Sequence, residues 1–450
     1  MSAHRVAIVG GGLAGLTSAL ACGDAGIPVT LLEARARLGG ATWSTRRDGL
    51  WVDNGQHVFM RCCDAYRRFL ERLQVASYVE LQPRLAIPVV APGGRTRWLR
   101  RGRLPAPLHL GASLARFSHV SRGDRLRIAL AARALAALDR DDPRLDARSF
   151  GDWLHAHRQS PSAVSTFWDL VARPTLNLPA QDASLALAAM VFQTGLLERA
   201  NAADLGYATI PLQHLHAEPA AREIAKHGSQ VRTRARIDRI EPRRDGGAVL
   251  WTSGEQLEVE VLILAIGHRE AARLLPAALD DPQGVETLGH SPIVNLHLVY
   301  DREVLPHAFA AGVGSPVEWV FDRTQASGLS RGQYLAVSLS SADAWVGQST
   351  AELRRRFEPE MQRLFPLARQ ARLERFFTTS EPTATFRQAP GSARLRAGTC
   401  TRLRGIYLAG AWTDTGWPAT MEGAVRSGHA AARQALQQLG RNPRTEEATP

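Results

Sequence analysis

The stretch that most constrains this chain is Val6-Ala-Ile-Val-Gly10-Gly-Gly12-Leu13-Ala14-Gly15-Leu. The aliphatic run over 6–9 suits a strand buried on both faces of a parallel sheet. Gly10, Gly12 and Gly15 then form G-x-G-x-x-G, and residues 16–22 continue at helical spacing to a stop at Gly26. A second strand is predicted over 29–32, ending in Glu33, about 20 residues past the glycines, where a dinucleotide fold needs an acid. Gly10 permits the tight turn, Gly12 admits a pyrophosphate to the backbone, and Gly15 lets the helix pack close to the strand. The helix N-terminus at Leu13 and Ala14 presents free N–H groups to phosphates, while Glu33 accepts bonds from a ribose.

With 450 residues, two domains are expected. Apolar content of 45% and charged content of 22% fit a soluble globular chain. The formal charge of +12 is carried by arginine, Lys226 being the only lysine. A genome that favours arginine codons accounts for such a charge; the sharper reading is attraction to an acidic membrane face or an anionic ligand. No finger, recognition helix or aromatic RNA-binding motif accompanies it, so a nucleic-acid partner is not expected. Cys22, Cys62, Cys63 and Cys400 form neither a disulfide framework nor a metal-ligand spacing. The pairs His155/His157 and His214/His216 lack a third ligand, so no metal is expected. Asp139-Arg-Asp141-Asp142 precedes a proline and reads as a solvated turn. Without a secretion signal or an apolar run of roughly 18 residues, the expected location is cytoplasmic, with peripheral contact at the cytoplasmic membrane face.

Beyond Glu33 comes Ala34-Arg35-Ala-Arg37-Leu-Gly39-Gly40-Ala41. The second glycine pair brings backbone close to a ligand again. Residues 10–40 resemble the two-glycine signature of FAD-dependent amine oxidases and carotenoid-type desaturases, which implies FAD. Many members place Arg where Ala41 stands, so phosphate neutralisation is expected from Arg35 or Arg37. The next segment, Trp51-Val-Asp53-Asn54-Gly55-Gln56-His57-Val-Phe59-Met-Arg-Cys62-Cys63, sets a polar cluster among aromatics. It is similar to the D-N-G-Q-H segment of the squalene-associated FAD-dependent desaturases, the hydroxysqualene dehydroxylases. That resemblance implies that Asn54, Gly55 and Gln56 lie against the flavin.

From 81 to 220 the pattern turns to proline-broken loops and helices. Residues 104–117 are apolar with basic neighbours, a helix is predicted over 126–138, and 184–197 is the most apolar helical stretch. The latter serves either as core or as the wall of a hydrocarbon tunnel. Strand patterns return over 230–240, 248–251 and 259–267, and the resemblance lays Ile237 along the adenine. Strands and a helix over 351–365 follow, and 381–386 is expected to cross back toward the flavin. The last motif runs Gly410-Ala411-Trp412-Thr-Asp414-Thr-Gly-Trp417, with a helix from Met421 whose N-terminus faces the flavin. Ala411 stands where related flavoproteins carry an acid, and Asp414 is the expected substitute.

The expected fold is α/β: a Rossmann-like, discontinuous FAD-binding domain over 1–80, 221–290 and 391–440. An inserted α+β substrate and membrane-facing domain takes 81–220 and 291–390, as in amine oxidases and phytoene desaturases, with a flexible tail over 441–450. The resemblance implies reductive removal of the hydroxyl from hydroxysqualene, giving squalene. The expected acid is His57, oriented by Asp53, with Asp414 as alternative, and Phe59, Trp412 and Trp417 as substrate walls. An oxidative isoprenoid desaturase, an amine oxidase and a non-catalytic flavin-binding partner remain the alternatives. Expected partners are a lipophilic isoprenoid, a membrane surface and other squalene-pathway enzymes, with NADPH as a possible electron donor and no oligomeric state assigned.

Overall fold

The computed structural model describes residues 4–441. Of the tail expected over 441–450, only Arg441 falls within the described residues. His4–Val9 sits inside a seven-stranded sheet, between Thr30–Glu33 and the long strand Glu255–Leu264. Both flanking strands are parallel to it. Val6, Ala7, Ile8 and Val9 are all buried, as an aliphatic strand covered on both faces must be. The strand Glu255–Leu264 has two partners on its other edge. Its first half pairs antiparallel with Ala248–Thr252, and its last residues pair parallel with Ile406–Leu408. A strand from the far end of the chain thereby joins the sheet begun at the N-terminus.

The strand expected over 230–240 is broken in two. Gln230–Thr233 pairs with Thr30–Glu33, whereas Arg239–Pro242 pairs with Ala248–Thr252. Between them Arg234 takes φ 56°. Its N–H donates to the Arg35 carbonyl and that of Ala235 to the Glu33 carbonyl, both at 2.9 Å. The chain follows the edge of the second strand to its end before turning away.

The helix Leu13–Asp24 packs against Met421–Gln438, the last described helix. Close contact is built in: a methyl group at Gly428 would lie 2.4 Å from the Ala14 carbonyl oxygen. Ser18 Oγ sits between the helices, donating to the Ala14 and Gly428 carbonyls.

A second seven-stranded sheet runs in the order Leu373–Thr385, Ser291–Tyr300, Gln333–Ser340, Trp319–Asp322, Phe309–Gly312, Ala86–Ala91, Arg95–Arg100. A small sheet of Val58–Met60, Leu205–Ala208 and Val79–Leu81 brings the chain after His57 together with both ends of the segment 79–208. The helices between residues 111 and 192 share a core of Phe117, Ile128, Phe150, Trp153, Trp168 and Phe192. The helix expected over 126–138 spans Arg122–Ala136, because Ser121 caps it by accepting the Asp124 N–H at 3.0 Å. That expected over 184–197 is α-helical over Leu185–Phe192 and continues as a wider turn over Gln193–Leu197. Thr350–Leu364 begins at a capping box formed by Ser349 and Glu352. No helix among the described residues is long and apolar enough to cross a membrane.

Candidate flavin and substrate site

The two glycine clusters touch. Gly10 has φ +109°, and a methyl group there would lie 2.2 Å from the Ala265 carbonyl oxygen; one at Gly15 would strike the Gly10 carbonyl. These two glycines let strand, turn and helix nest together. Gly40 has φ +57° and approaches Gly12 so closely that a Cβ would be 2.7 Å from its Cα. The Gly39 N–H donates to the Gly11 carbonyl at 2.8 Å, locking the pairs together. At the start of the Leu13–Asp24 helix no side chain caps the N-terminus, so the amides near Leu13 and Ala14 are left for a ligand.

Glu33 is buried and accepts N–H bonds from Gly11 at 2.8 Å and Arg35 at 2.7 Å. Ala34 and Arg35 are exposed beside it, and the returning chain sets Ile237 in the core on the same side. Of the two arginines considered for phosphate neutralisation, Arg35 is exposed and Arg37 is half-buried. Its guanidinium lies 3.7 Å from the Trp43 ring centroid, and its Nη1 is buried without a partner. Burial lowers its pKa from 12.5, a penalty that a bound anion would offset. A cradle closed to side chains, uncapped helix amides and an orphaned guanidinium nitrogen all fit a dinucleotide.

The Asp53–His57 turn is fastened mainly by Asn54. Asn54 Oδ1 accepts the Trp43 N–H, and Nδ2 donates to the Ala41 carbonyl at 2.8 Å and to Glu381 Oε1 at 3.1 Å. Its own carbonyl accepts from Asn295 Nδ2 and Thr379 Oγ1. One side chain and its backbone thus join the second glycine pair to the second sheet. Gly55 is buried next to His57, and Gln56 lines a shallow polar cleft with Asp53, Arg323 and Tyr334.

His57 is half-buried. Its Nδ1 lies 3.1 Å from the Gly55 carbonyl. A carbonyl only accepts, so Nδ1 carries the hydrogen and Nε2 is left for a substrate. Burial depresses its pKa below 6.5, opposed by the Gly55 carbonyl bond and the Asp53 and Glu381 charges. An imidazolium there is a readier proton donor than a solvated one.

Three sequence expectations need correction. Asp53 does not hydrogen-bond to His57. Its Oδ1 accepts from Ser44 Oγ and the Leu212 N–H, and its Oδ2 from Arg323 Nη2 at 2.7 Å. Asp414 is exposed and accepts the Gly416 N–H at a turn, unlike an acid held in a dry pocket. Phe59 and Trp412 are not substrate walls: Phe59 packs edge-on to Tyr66 over Gly206, and buried Trp412 donates Nε1–H to the Ile266 carbonyl at 2.8 Å. Trp412 is turned inward by Gly410, whose φ is +138°, and Ala411 lies half-buried between them.

Trp417 does line a small apolar cavity of about 30 Å³, with Met60, Cys62, Cys63, Met190 and Pro418. The Arg426 guanidinium sits 4.8 Å from its ring centroid. Burial of a neighbouring carboxylate was not legible beforehand. Glu422, one residue after Met421, accepts the Ala65 and Tyr66 N–H groups at 3.1 and 2.7 Å and Arg426 Nε at 2.7 Å. It binds the last helix to the N-terminus of Asp64–Arg72, the position where a carboxylate is stabilised by the helix dipole. An acid in the first turn was the signal; its partner, 356 residues away, was not.

A glycine cradle at the end of a parallel strand, on a first helix packed against a helix from the far end of the chain, defines a dinucleotide-binding fold. Residues 13–436 match the family described as flavin containing amine oxidoreductase, and the chain belongs to that family of FAD-dependent oxidoreductases. Its relatives include the hydroxysqualene dehydroxylase of Rhodopseudomonas palustris, 28% identical over 95% of this chain and 97% of that protein. The 15-cis-phytoene desaturase of Solanum lycopersicum is 24% identical over 96% of this chain and 78% of the relative. In fold, the chain matches a putrescine oxidase with a TM-score of 0.73 at 20% identity, over 96% of this chain and 99% of the other. The expected amine-oxidase and desaturase-like fold is therefore borne out.

Proposed function

We propose that this protein reductively dehydroxylates hydroxysqualene to squalene, using FAD. The carrying observation is that Met60, three residues along the chain from His57, lines the apolar cavity together with Trp417. Near-full-length similarity to hydroxysqualene dehydroxylase supports the same substrate. His57 Nε2, once protonated, donates to the hydroxyl oxygen, and water leaves an allylic cation on the substrate. Trp417 presents a π face to that charge, and Met60, Met190 and Pro418 keep the cavity dry. When bound, reduced FAD supplies the hydride that quenches the cation. The uncapped amides near Leu13, together with Gly12, Gly40 and Arg37, hold the cofactor phosphates, and Glu33 holds the adenosine ribose. NADPH reacting directly with the flavin is the proposed electron source.

Anaerobic incubation of the protein with reduced FAD and hydroxysqualene should yield squalene; no squalene with a fully loaded flavin would sink the reading. The similarity to a phytoene desaturase favours one second reading, oxidative desaturation. Under it, oxidised protein and a squalene-like hydrocarbon would give new conjugated absorbance. His57→Ala should keep its flavin and lose about 10²- to 10⁴-fold in turnover.

A further inference from the structure

Between residues 84 and 138 stand eleven arginines and a single acid, Asp124. Most of the net charge of +12 is therefore concentrated in about an eighth of the chain. The lone acid is buried and engaged with Ser121 and Arg127, so it does little to neutralise the surface. Arg103, Arg116, Arg122 and Arg133 are exposed, and none pairs with a carboxylate among the described residues.

The same segment carries four large exposed aliphatic side chains: Leu104 at 57%, Leu108 at 60%, Leu126 at 64% and Leu130 at 59%. On the Arg122–Ala136 helix, Ile128, Ala131 and Leu135 face the core, whereas Arg122, Leu126, Leu130 and Arg133 follow one another along the opposite face. Two leucines bracketed by arginines are exposed where a water-facing helix would carry polar residues. The Gly111–Arg116 helix packs on this one, and Arg125 fastens them by donating to the Ala115 carbonyl.

This layer is joined to the cavity wall. Gln193 Nε2 donates to the Leu135 and Leu138 carbonyls at 2.8 and 2.9 Å, and Arg140 donates to Thr194 Oγ1 at 2.7 Å. Thr194 and the preceding Met190 and Val191 line the apolar cavity beside Trp417.

We propose that the layer formed by residues 101–138 docks on an anionic lipid bilayer, with Leu104, Leu108, Leu126 and Leu130 entering the acyl boundary and the free arginines meeting lipid headgroups. Nucleic acid would satisfy the arginines but leave the leucines in water, and a neutral apolar partner would do the reverse. An anionic bilayer satisfies both. That the docked lipid also delivers substrate rests on the function proposed above; the docking itself does not.

The test is flotation of the flavin-loaded protein with vesicles of phosphatidylcholine alone or with about a third phosphatidylglycerol. Binding should be at least tenfold tighter to anionic vesicles and should weaken with salt. Leu126→Gln with Leu130→Gln should lose binding about tenfold or more while keeping flavin absorbance and turnover of detergent-dispersed substrate. Arg122→Gln with Arg133→Gln should keep binding but lose the preference for anionic lipid. Equal binding to both vesicles, no binding, or leucine variants that bind like the parent would overturn the proposal. So would sedimentation showing that the leucines hold two copies together. If dehydroxylation fails while flotation succeeds, only the substrate reading falls.

Discussion

Asp53→Asn separates a structural from an orienting role for this carboxylate. Asp53 and Arg323 form an ion pair whose side chains are only 6% and 9% exposed. Arg323 also donates to the Ala208 carbonyl, so its position is set independently of the acid. Asparagine preserves the shape and still accepts from Ser44 or Leu212, but it leaves the guanidinium buried without a counter-charge. Breaking a buried pair from one side costs about 3–5 kcal/mol, and the isosteric change should fall near the lower figure. Unfolding entropy is about 2.1 cal/mol/K per residue, so about 3 kcal/mol lowers Tm by roughly 3 °C in a chain of 450 residues. Differential scanning calorimetry of the flavin-loaded protein measures it. The double variant Asp53→Asn with Arg323→Met should recover most of the loss, because the stranded charge is gone. An unchanged Tm, joined to a displaced acid limb in the pH–rate profile, would refute this reasoning and return Asp53 to a direct partnership with His57.

His216 and His297 are buried and pushed down to about 3 from 6.5, chiefly by desolvation. The unfolded chain therefore binds protons that the folded one refuses, so stability is full above pH 6.5 and falls below it, by about 1.4 kcal/mol per pH unit for each histidine; chemical denaturation at stepped pH reads the slope. The depressed pKa of His57 means that its acid form grows as pH drops below 6.5, so kcat/KM under anaerobic single turnover should climb on acidification and flatten in His57→Ala. Gly40→Ala meets both φ +57° and a 2.7 Å approach to Gly12; it should purify colourless, with normal far-UV circular dichroism. Trp417→Ala removes a cavity wall worth about 1.5–3 kcal/mol of apolar contact, raising KM at least tenfold while leaving flavin content unchanged.

What was legible in the sequence was local. Gly10, Gly12, Gly15, Gly39 and Gly40 announce themselves because the constraint acts on their own backbone, and a bulkier residue would collide within the same turn. Facing directions were less accessible. Phe59 and Met60 are neighbours on one strand and necessarily point to opposite sides; only pairing with Leu205–Ala208 decides that Met60 meets the cavity and Phe59 the core. Trp412 and Trp417 share a loop, yet the turn at Gly410 buries one and leaves the other on the cavity. Arg323 lies 270 residues from the carboxylate it neutralises, a distance over which no spacing rule operates. Arg35 and Arg37 could be named together beforehand because charge must balance charge, but that only Arg37 stacks on Trp43 could not.

The clamp at Glu422 also has a bearing on biosynthesis. Ala65 and Tyr66 are made early, but the carboxylate that holds their amides is made some 356 residues later, together with the helix that packs on Leu13–Asp24. During translation, domains fold broadly from the N-terminus, yet here the first helix and the end of Glu255–Leu264 wait for the closing segment. A ribosome stalled before residue 406 would present an unpaired edge on Glu255–Leu264 and an uncovered first helix. A nascent chain interrupted late would therefore expose an apolar helix face and a strand edge, the surfaces that chaperones bind.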